Sequence, residues 1–324
     1  MSKRTDIEAE VRKRKLDACK CCDKVAREKN TGENGCCKNV VSSFDKLPVR
    51  CVGAWAIDKI YYLVQYLGIF AESMKDKKDT YYVELCSGPG RCSTRNQYEH
   101  DGTALAVLNH SKFKHVKGAI FIDNDASVVG VLNQRIQAMN IDNARAVIGD
   151  YNNSDSILDA FPPVKKGKTL FLCLIDPTDC SLPFDTIKAI FDRTNGKCDF
   201  IISYFDGIDL NRNILETVLE PVRFKTNLKK YERFLGDSEF FTDPDIQELA
   251  RLGDRQAIRR KFEDAYKRQL AKIGLKYQAE VRVCSKGESG IPYYQLIYAS
   301  GHTTGLDFWK KANKYQPSGQ MQLF

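Results

Sequence analysis

Short apolar runs alternate with amphipathic segments through the middle of the chain. Four runs are almost continuously hydrophobic and end at polar or turn-forming residues: 80–86, 117–123, 169–176 and 198–205. Continuous apolarity over about four to eight residues is typical of strands that are covered on both faces of a parallel sheet. Helical periodicity covers 56–74, 126–140 and 184–194. The alternation predicts an α/β fold with a doubly wound, mostly parallel sheet.

The C-terminal part of the chain departs from this alternation. Residues 275–285 and 291–300 are rich in β-branched and aromatic side chains and flank the segment "KGESG", which predicts an antiparallel hairpin that closes the sheet. A basic and aromatic helical insertion is expected at about 210–273. We therefore divide the chain into a Cys-rich N-terminal appendage, 1–51, and an α/β domain, 52–324.

Composition and charge limit the class of protein. The chain has 324 residues, of which 43% are hydrophobic, enough for one large domain with insertions or about two domains. No window approaches the roughly 18–20 apolar residues of a membrane span, and the charged first 30 residues do not resemble a signal peptide. We expect a cytoplasmic protein without a membrane partner. The net charge of +8 permits an anionic partner but does not by itself indicate one.

Half of the twelve cysteines fall in the first 51 residues. Paired thiolates separated by a polar loop can bind a tetrahedral zinc ion, and zinc would help to order a segment with so little apolar content. Adjacent cysteines bind one metal ion with difficulty, so free thiols in a mobile segment remain the alternative. The candidate ligands are Cys19, Cys21, Cys22, Cys36, Cys37 and Cys51.

The segment "VELCSGPGR" follows the first predicted sheet strand. It places Glu84 at the carboxyl edge of the sheet, where open α/β sheets bind ligands, and Gly88 and Gly90 allow close approach of the backbone. A carboxylate beside backbone donors suits an amino acid better than a pyrophosphate. We assign Glu84, Cys86, Gly88 and Gly90 to a cofactor site. An ordinary strand-to-helix turn is one alternative, and a dinucleotide site fits less well because Ser93 occupies the third glycine position.

Further acidic residues follow the other predicted strands. Asp123 could accept hydrogen bonds from ribose hydroxyls, and Asp150 could accept from an adenine amino group beside Tyr151. Asp176, in "LIDPTDC", precedes a proline at the sheet edge, where it could orient or deprotonate a methyl acceptor. Asp179 is a second catalytic candidate. Loop chemistry between strand and helix is the alternative for Asp176 and Asp179.

The order of these segments resembles the three-Cys-motif partner (TcmP) family across roughly 50–312. Matching pieces are "VELCSGPGR", "DGTALAVL", "FIDND", "LFLCLIDP", "CDFIISYF" and "YYQLIYASGHTTGLDFWKKA". The resemblance implies a fold like that of class I S-adenosylmethionine (SAM) methyltransferases, which close their sheet with an antiparallel strand, with Glu84, Gly88, Gly90 and Asp123 at cofactor positions. Thr178 and Asp179 replace the Phe-Gly pair usual in the family, so we expect the acceptor pocket to differ, and the N-terminal cysteines are not a usual family feature.

Two functions follow from this reading. The first is a SAM-dependent methyltransferase with an unidentified acceptor. Nucleic acid is a candidate acceptor because cations of the insertion interleave with Phe224, Tyr231, Phe234 and Tyr266, whose rings could stack on bases. A pair of helices with ordinary surface ion pairs is the alternative for this segment. The second is a non-catalytic module that binds SAM or a nucleotide and works with a protein partner.

Overall fold

The structure, a computed structural model, describes residues 41–53, 55–94, 99–284, 292–315 and 317. Ten strands occur in this part of the chain. In chain order they are β1 (Arg50–Val52), β2 (Asp79–Leu85), β3 (Arg91–Thr94), β4 (Glu99–Asp101), β5 (Gly118–Asp123), β6 (Ala144–Ile148), β7 (Thr169–Ile175), β8 (Cys198–Tyr204), β9 (Tyr277–Cys284) and β10 (Pro292–Ser300).

Seven of these strands form the central sheet, in the order β6-β5-β2-β7-β8-β10-β9. The first five strands of this order pair in parallel, and β10 pairs antiparallel with both β8 and β9. The predicted α/β class with a mostly parallel sheet is therefore confirmed. The "KGESG" turn predicted between β9 and β10 lies outside the described residues.

Helices cover both faces of the sheet. They are α1 (Trp55–Met74), α2 (Thr103–Leu108), α3 (Ala126–Ala138), α4 (Ser154–Leu158), α5 (Phe184–Arg193), α6 (Asn211–Leu219), α7 (Lys225–Leu235), α8 (Pro244–Arg251), α9 (Arg255–Lys272) and α10 (Thr303–Ala312). One π-helical turn, Asp206–Leu210, follows β8 directly.

Alternate residues of each central strand enter different cores. In β7, Leu172 and Leu174 pack in the core beneath α1, α2, α3 and α10, whereas Phe171 and Cys173 pack in the core beneath α5 and the helices that follow β8. Successive side chains of a strand point to opposite faces, so a strand between two helical layers has to be apolar at nearly every position. This explains the continuous apolar runs in the sequence.

The segment 41–52, which we call the N-terminal strap, packs against the α/β unit. Its last residues form β1, which pairs in parallel with β3, and β3 pairs antiparallel with β4 in a separate three-stranded sheet. Ser42 and Ser43 donate hydrogen bonds to the Glu99 carboxylate in β4. The strap thus lies beside the loop that follows β2.

The helical insertion buries three of the four aromatic residues that the sequence suggested for base stacking, and Phe224 is partly exposed. Tyr231, Phe234 and Tyr266 are no more than 1% exposed, and the Phe234 and Tyr266 rings stack with their centroids 4.8 Å apart. The expectation that these three rings stack on nucleic acid bases is wrong, because they lie on the inner faces of α7 and α9 and form part of the core. None of the described helices is long and apolar enough to cross a membrane.

Candidate functional site

A cavity of about 500 Å³ opens at the carboxyl ends of β2, β5, β6 and β7. Its volume lies within the range of about 300–1,000 Å³ that is usual for small-molecule sites. Its position is the one where open α/β sheets bind ligands. The lining residues are Arg50, Leu85, Cys86, Ile122, Asp123, Asn124, Val128, Gly149, Tyr151, Ile157, Pro177, Thr178, Asp179 and Ser181.

Four residues predicted from the sequence line this cavity: Cys86, Asp123, Tyr151 and Asp179. They come from four different loops or strand ends, and the parallel sheet brings them together because its strands end at one edge. Glu84, Gly88, Gly90, Asp150 and Asp176 are not among the lining residues, although Gly88 and Gly90 belong to the loop after β2, which forms one wall, and Glu84 lies in β2 just before that loop.

The loop after β2 contains three residues with left-handed backbone conformation. The φ angles of Cys86, Gly88 and Gly90 are 63°, 63° and 90°. At Gly90, a Cβ atom would lie 2.8 Å from Leu132 Cδ1, so the absence of a side chain there lets the loop pack against α3. At Gly88 the space is less restricted, since a Cβ would lie 3.6 Å from Arg50 Nη1. Glycine is therefore needed at these positions for different reasons.

Asp123 is held at the end of β5 by this same loop. The Gly88 N–H donates to Asp123 Oδ2 at 2.9 Å, and the Asp125 N–H donates to Oδ1 at 3.2 Å. The side chain is 7% exposed and lies in the cavity wall. Because these two hydrogen bonds already fix the carboxylate, it could accept hydrogen bonds from hydroxyl groups of a ligand with little further loss of side-chain entropy.

Glu84 lies beneath the loop and not in the cavity. It is fully buried, and its carboxyl group accepts hydrogen bonds from the Tyr82 hydroxyl at 2.8 Å and from the Thr103 hydroxyl. Burial raises the pKa of Glu84 from 4.5 to about 8, although these two hydrogen bonds act in the opposite direction. The contacts of Glu84 fix the base of the loop.

Cys86 presents its thiol to the cavity from a strained backbone position. Burial raises the pKa of this thiol, and the nearby Asp123 and Asp176 carboxylates raise it further. The thiol is therefore protonated at neutral pH. A non-glycine residue with positive φ is uncommon and marks a site where the surrounding structure imposes the conformation.

Tyr151 and Asp150 have different environments although they are adjacent. The Tyr151 hydroxyl lies 2.9 Å from Ser181 Oγ, and its carbonyl accepts from the Thr186 hydroxyl, so the ring is fixed against the loop after β7. Burial raises the pKa of Tyr151. Asp150 is exposed, and its carboxylate accepts from the Asn152 backbone and side-chain amides in a local turn.

The two predicted catalytic carboxylates are also held differently. Asp176 accepts hydrogen bonds from Lys59 of α1 and from the Ser203 hydroxyl, the latter at 2.6 Å. Asp179 lines the cavity, and Lys230 Nζ lies 3.6 Å from its Oδ2. Lys230 is closer to Asp209, at 2.8 Å, so this lysine connects the insertion to the loop after β7.

Sequence reasoning missed Arg50 and Lys59. Arg50 lies in a segment without hydrophobic periodicity, which we assigned to the appendage. Lys59 cannot be distinguished by sequence from other polar residues of an amphipathic helix. In the structure, Arg50 lines the cavity and Lys59 pairs with Asp176. Neither residue carries a sequence signal that could have pointed to this edge of the sheet.

The predicted metal ligands gain no support. Cys19, Cys21, Cys22, Cys36 and Cys37 lie outside the described residues, and Cys51 lies in β1. Within the part of the chain that the structure describes, no group of three or more His, Cys, Asp or Glu residues could hold a metal ion. Zinc binding by the N-terminal cysteines stays a prediction.

No family model matches the chain, and no curated protein matches it. Among solved structures, a SAM-dependent methyltransferase from Clostridium acetobutylicum matches with 14% identity and a TM-score of 0.29, over 44% of this chain and 52% of that one. An rRNA methylase from Streptococcus thermophilus matches with 10% identity and a TM-score of 0.37, over 76% of this chain and 97% of that one.

M. jannaschii TYW2, solved in complex with AdoMet, matches with 9% identity and a TM-score of 0.37, over 77% of this chain and 76% of that one. The chain spans about half the length of the Clostridium enzyme. At these identities and TM-scores, the function rests on the chain's own residues. The resemblance to the TcmP family stays a prediction.

Proposed function

We propose that the chain is a SAM-dependent methyltransferase that binds its cofactor in the cavity at the carboxyl edge of the sheet. The observation that carries this proposal is the convergence of the glycine loop, Asp123, Tyr151 and Asp179 on one cavity. A ligand there would meet a backbone loop that permits close approach, a fixed carboxylate and an aromatic ring.

The charge of the cavity wall supports SAM over a dinucleotide. The lining contains two carboxylates, Asp123 and Asp179, and one guanidinium, that of Arg50, so its net charge is −1. SAM carries a sulfonium, an ammonium and one carboxylate, and its net charge has the opposite sign. A dinucleotide would bring a negative pyrophosphate to a negative wall, which is unfavourable in a partly desolvated site.

The strand order gives a second line of support. The sheet is parallel through β6-β5-β2-β7-β8, and the last strand, β10, enters antiparallel between β8 and β9. Closure of a parallel sheet by an antiparallel strand is the feature that the resemblance to class I methyltransferases predicted. The cavity lies at the end of β2, the middle one of the five parallel strands, where neighbouring connections leave toward opposite sides.

In this proposal each wall of the cavity has a separate task. Asp123 accepts from the ribose hydroxyls, and Tyr151 contacts the adenine. Cys86 and Gly88 expose the loop to the amino acid end, while Glu84 and Gly90 support that loop from below. Asp150 receives no contact, because its carboxylate lies in the turn with Asn152.

Bound SAM would supply a sulfonium methyl group for displacement by an acceptor nucleophile. The protein's contribution would be mainly to hold the acceptor in line with that group and to exclude water. Asp179 would accept a hydrogen bond from the acceptor, and its position in the cavity lining supports this role. Asp176 is paired with Lys59 and Ser203 and would act by fixing the turn that carries Asp179.

Nucleic acid is the acceptor class that we propose to test first. Five cations of the insertion are exposed and form no ion pair with another described residue: Arg212, Lys225, Lys229, Arg260 and Arg268. Exposed cations of this kind can bind a phosphate backbone. Other cations, including Arg259, are paired with acidic residues, so this surface is smaller than the sequence suggested.

Transfer of a labelled methyl group from SAM to fractionated RNA, DNA and protein would test the proposal, together with calorimetric titration of SAM. Asp123→Asn removes the charge that accepts from ribose, so we expect SAM to bind about 10- to 100-fold more weakly. Asp142→Asn, on an exposed turn, is the matched control and should bind normally.

Three outcomes are informative. Wild-type protein that shows no heat with SAM but does with a dinucleotide would refute the proposal. SAM binding without transfer to any fraction would indicate the non-catalytic binding module instead. Transfer to one fraction would identify the acceptor class.

A further inference from the structure

A buried arginine joins the N-terminal strap to the loop after β2. Arg135 of α3 is 4% exposed, and all five of its N–H groups have acceptors. Nε and Nη2 donate to the Asp45 carboxylate at 2.8 and 3.1 Å, and Nη1 donates to the Pro48 carbonyl at 3.0 Å. The remaining two groups donate to the carbonyls of Leu47 and Pro89.

These contacts link three segments that are distant in sequence. Asp45, Leu47 and Pro48 belong to the strap, and Pro89 lies between the two glycines of the loop after β2. Movement of the strap would leave a buried guanidinium without its carboxylate, which is strongly unfavourable. Arg135 therefore fixes the strap and the loop at one distance from each other.

The strap in turn carries Arg50 to the cavity. Arg50 begins β1, two residues after Pro48, and its backbone pairs in register with Cys92 of β3. Arg50 lines the cavity, and its Nη1 lies 3.6 Å from the position that a Cβ would occupy on Gly88. The backbone of Arg50 is thus fixed on one side by Arg135 and on the other by β3.

We infer that Arg50 binds the carboxylate of the amino acid end of the cofactor, and that Arg135 is a positioning residue that holds Arg50 there by way of Asp45. This inference rests on the proposed function. Asp123 and Asp179 suit the hydroxyl groups and positive groups of SAM, whereas its carboxylate requires a donor of positive charge. Arginine matches a carboxylate with two parallel hydrogen bonds, which makes it selective for ligands that carry this group.

The test compares two ligands that differ in the amino acid end. S-adenosylhomocysteine has the carboxylate, and 5′-methylthioadenosine lacks the whole amino acid. Measured by calorimetry, Arg50→Met should lower the affinity for S-adenosylhomocysteine by about 10- to 100-fold and change the affinity for methylthioadenosine by less than about 3-fold. Arg50→Lys keeps the charge but not the paired donors and should fall between wild type and Arg50→Met.

Positioning is tested with Asp45→Asn, since replacement of the buried Arg135 could unfold the protein. Loss of the charge on Asp45 weakens its contact with Arg135, so we expect the affinity for S-adenosylhomocysteine to fall by about 3- to 10-fold. The affinity for methylthioadenosine should not change. Arg145→Met and Asp142→Asn are controls, because Arg145 donates to the Ala160 carbonyl away from the strap. Both should bind both ligands as wild type does.

Each failure has a different meaning. If Arg50→Met weakens both ligands equally, Arg50 has only a structural role and the inference is wrong. If Arg50→Met leaves S-adenosylhomocysteine binding unchanged, the carboxylate binds elsewhere. If Asp45→Asn has no effect while Arg50→Met does, the positioning part is wrong and the assignment of Arg50 stands. If wild-type protein binds neither ligand, the proposed function itself fails and the inference with it.

Discussion

Replacing Gly90 with alanine measures how strongly packing constrains the loop after β2. The φ angle of Gly90 is 90°, and an alanine Cβ would lie 2.8 Å from Leu132 Cδ1 and 3.1 Å from Leu105 Cγ. Left-handed backbone costs an L-residue about 1–2 kcal/mol. Adding a methyl group to a packed core costs about 1–3 kcal/mol. We expect Gly90→Ala to lower the free energy of unfolding by about 2–5 kcal/mol.

Two other glycines separate these contributions. Gly167 has a φ angle of 72°, but no described atom lies within 4 Å of its Cβ position, so alanine there should cost only the backbone strain, about 1–2 kcal/mol. Gly130 lies within α3 without positive φ or a described neighbour within 4 Å, so alanine there should stabilise the protein by about 0.5–1 kcal/mol.

Urea unfolding of the three variants at one pH provides the assay. The midpoints should decrease in the order Gly130→Ala, wild type, Gly167→Ala, Gly90→Ala. If Gly90→Ala is no less stable than Gly167→Ala, the contact with Leu132 and Leu105 does not constrain the loop, and the packing role assigned to Gly90 is refuted.

Two further predictions concern pH and salt. Burial raises the pKa of Glu84 from 4.5 to about 8, so the native protein retains a proton that the unfolded chain releases, and the stability contributed by Glu84 falls as pH rises through this window. The urea midpoint of Glu84→Gln should therefore rise relative to wild type between pH 5 and pH 8, and a pH-independent difference would contradict the assignment. If the insertion binds nucleic acid, replacing the exposed Arg260 and Arg268 with alanine should reduce the slope of log affinity against log salt by up to about 2, whereas Lys165→Ala with Lys166→Ala should not. An unchanged slope would place the contact elsewhere.

The sheet and one half of the site follow directly from the sequence. The bounds of β2 and β7 agree with the sequence prediction to within one residue, because the apolarity of these strands reflects burial on both faces. Parallel strands end at a common edge, so the residues after them converge. Cys86, Asp123, Tyr151 and Asp179 meet for this reason alone.

Contacts between distant segments could not be predicted in the same way. Arg135 reads as an ordinary polar residue in α3, and only the folded chain brings it to Asp45, ninety positions away in sequence. The prediction of base stacking by the aromatic residues of the insertion was wrong for a related reason. A spacing of three or four residues describes a nucleic acid surface and the inner face of an amphipathic helix equally well, and Tyr231, Phe234 and Tyr266 occupy the inner face.

The contacts of the two carboxylates after β7 favour Asp179 as the one that meets a ligand. Asp176 is 13% exposed and bonded to Lys59 and Ser203, so engaging it would disrupt existing contacts. The nearest cation to Asp179, Lys230, already donates to Asp209, which also accepts from the Tyr231 hydroxyl and the Cys180 N–H. Asp179 is 38% exposed, and a ligand can therefore approach it while Asp209 keeps Lys230 and the loop at Cys180 in place. The insertion thus supports the cavity wall at Asp179 through Lys230, and the strap supplies the wall at Arg50.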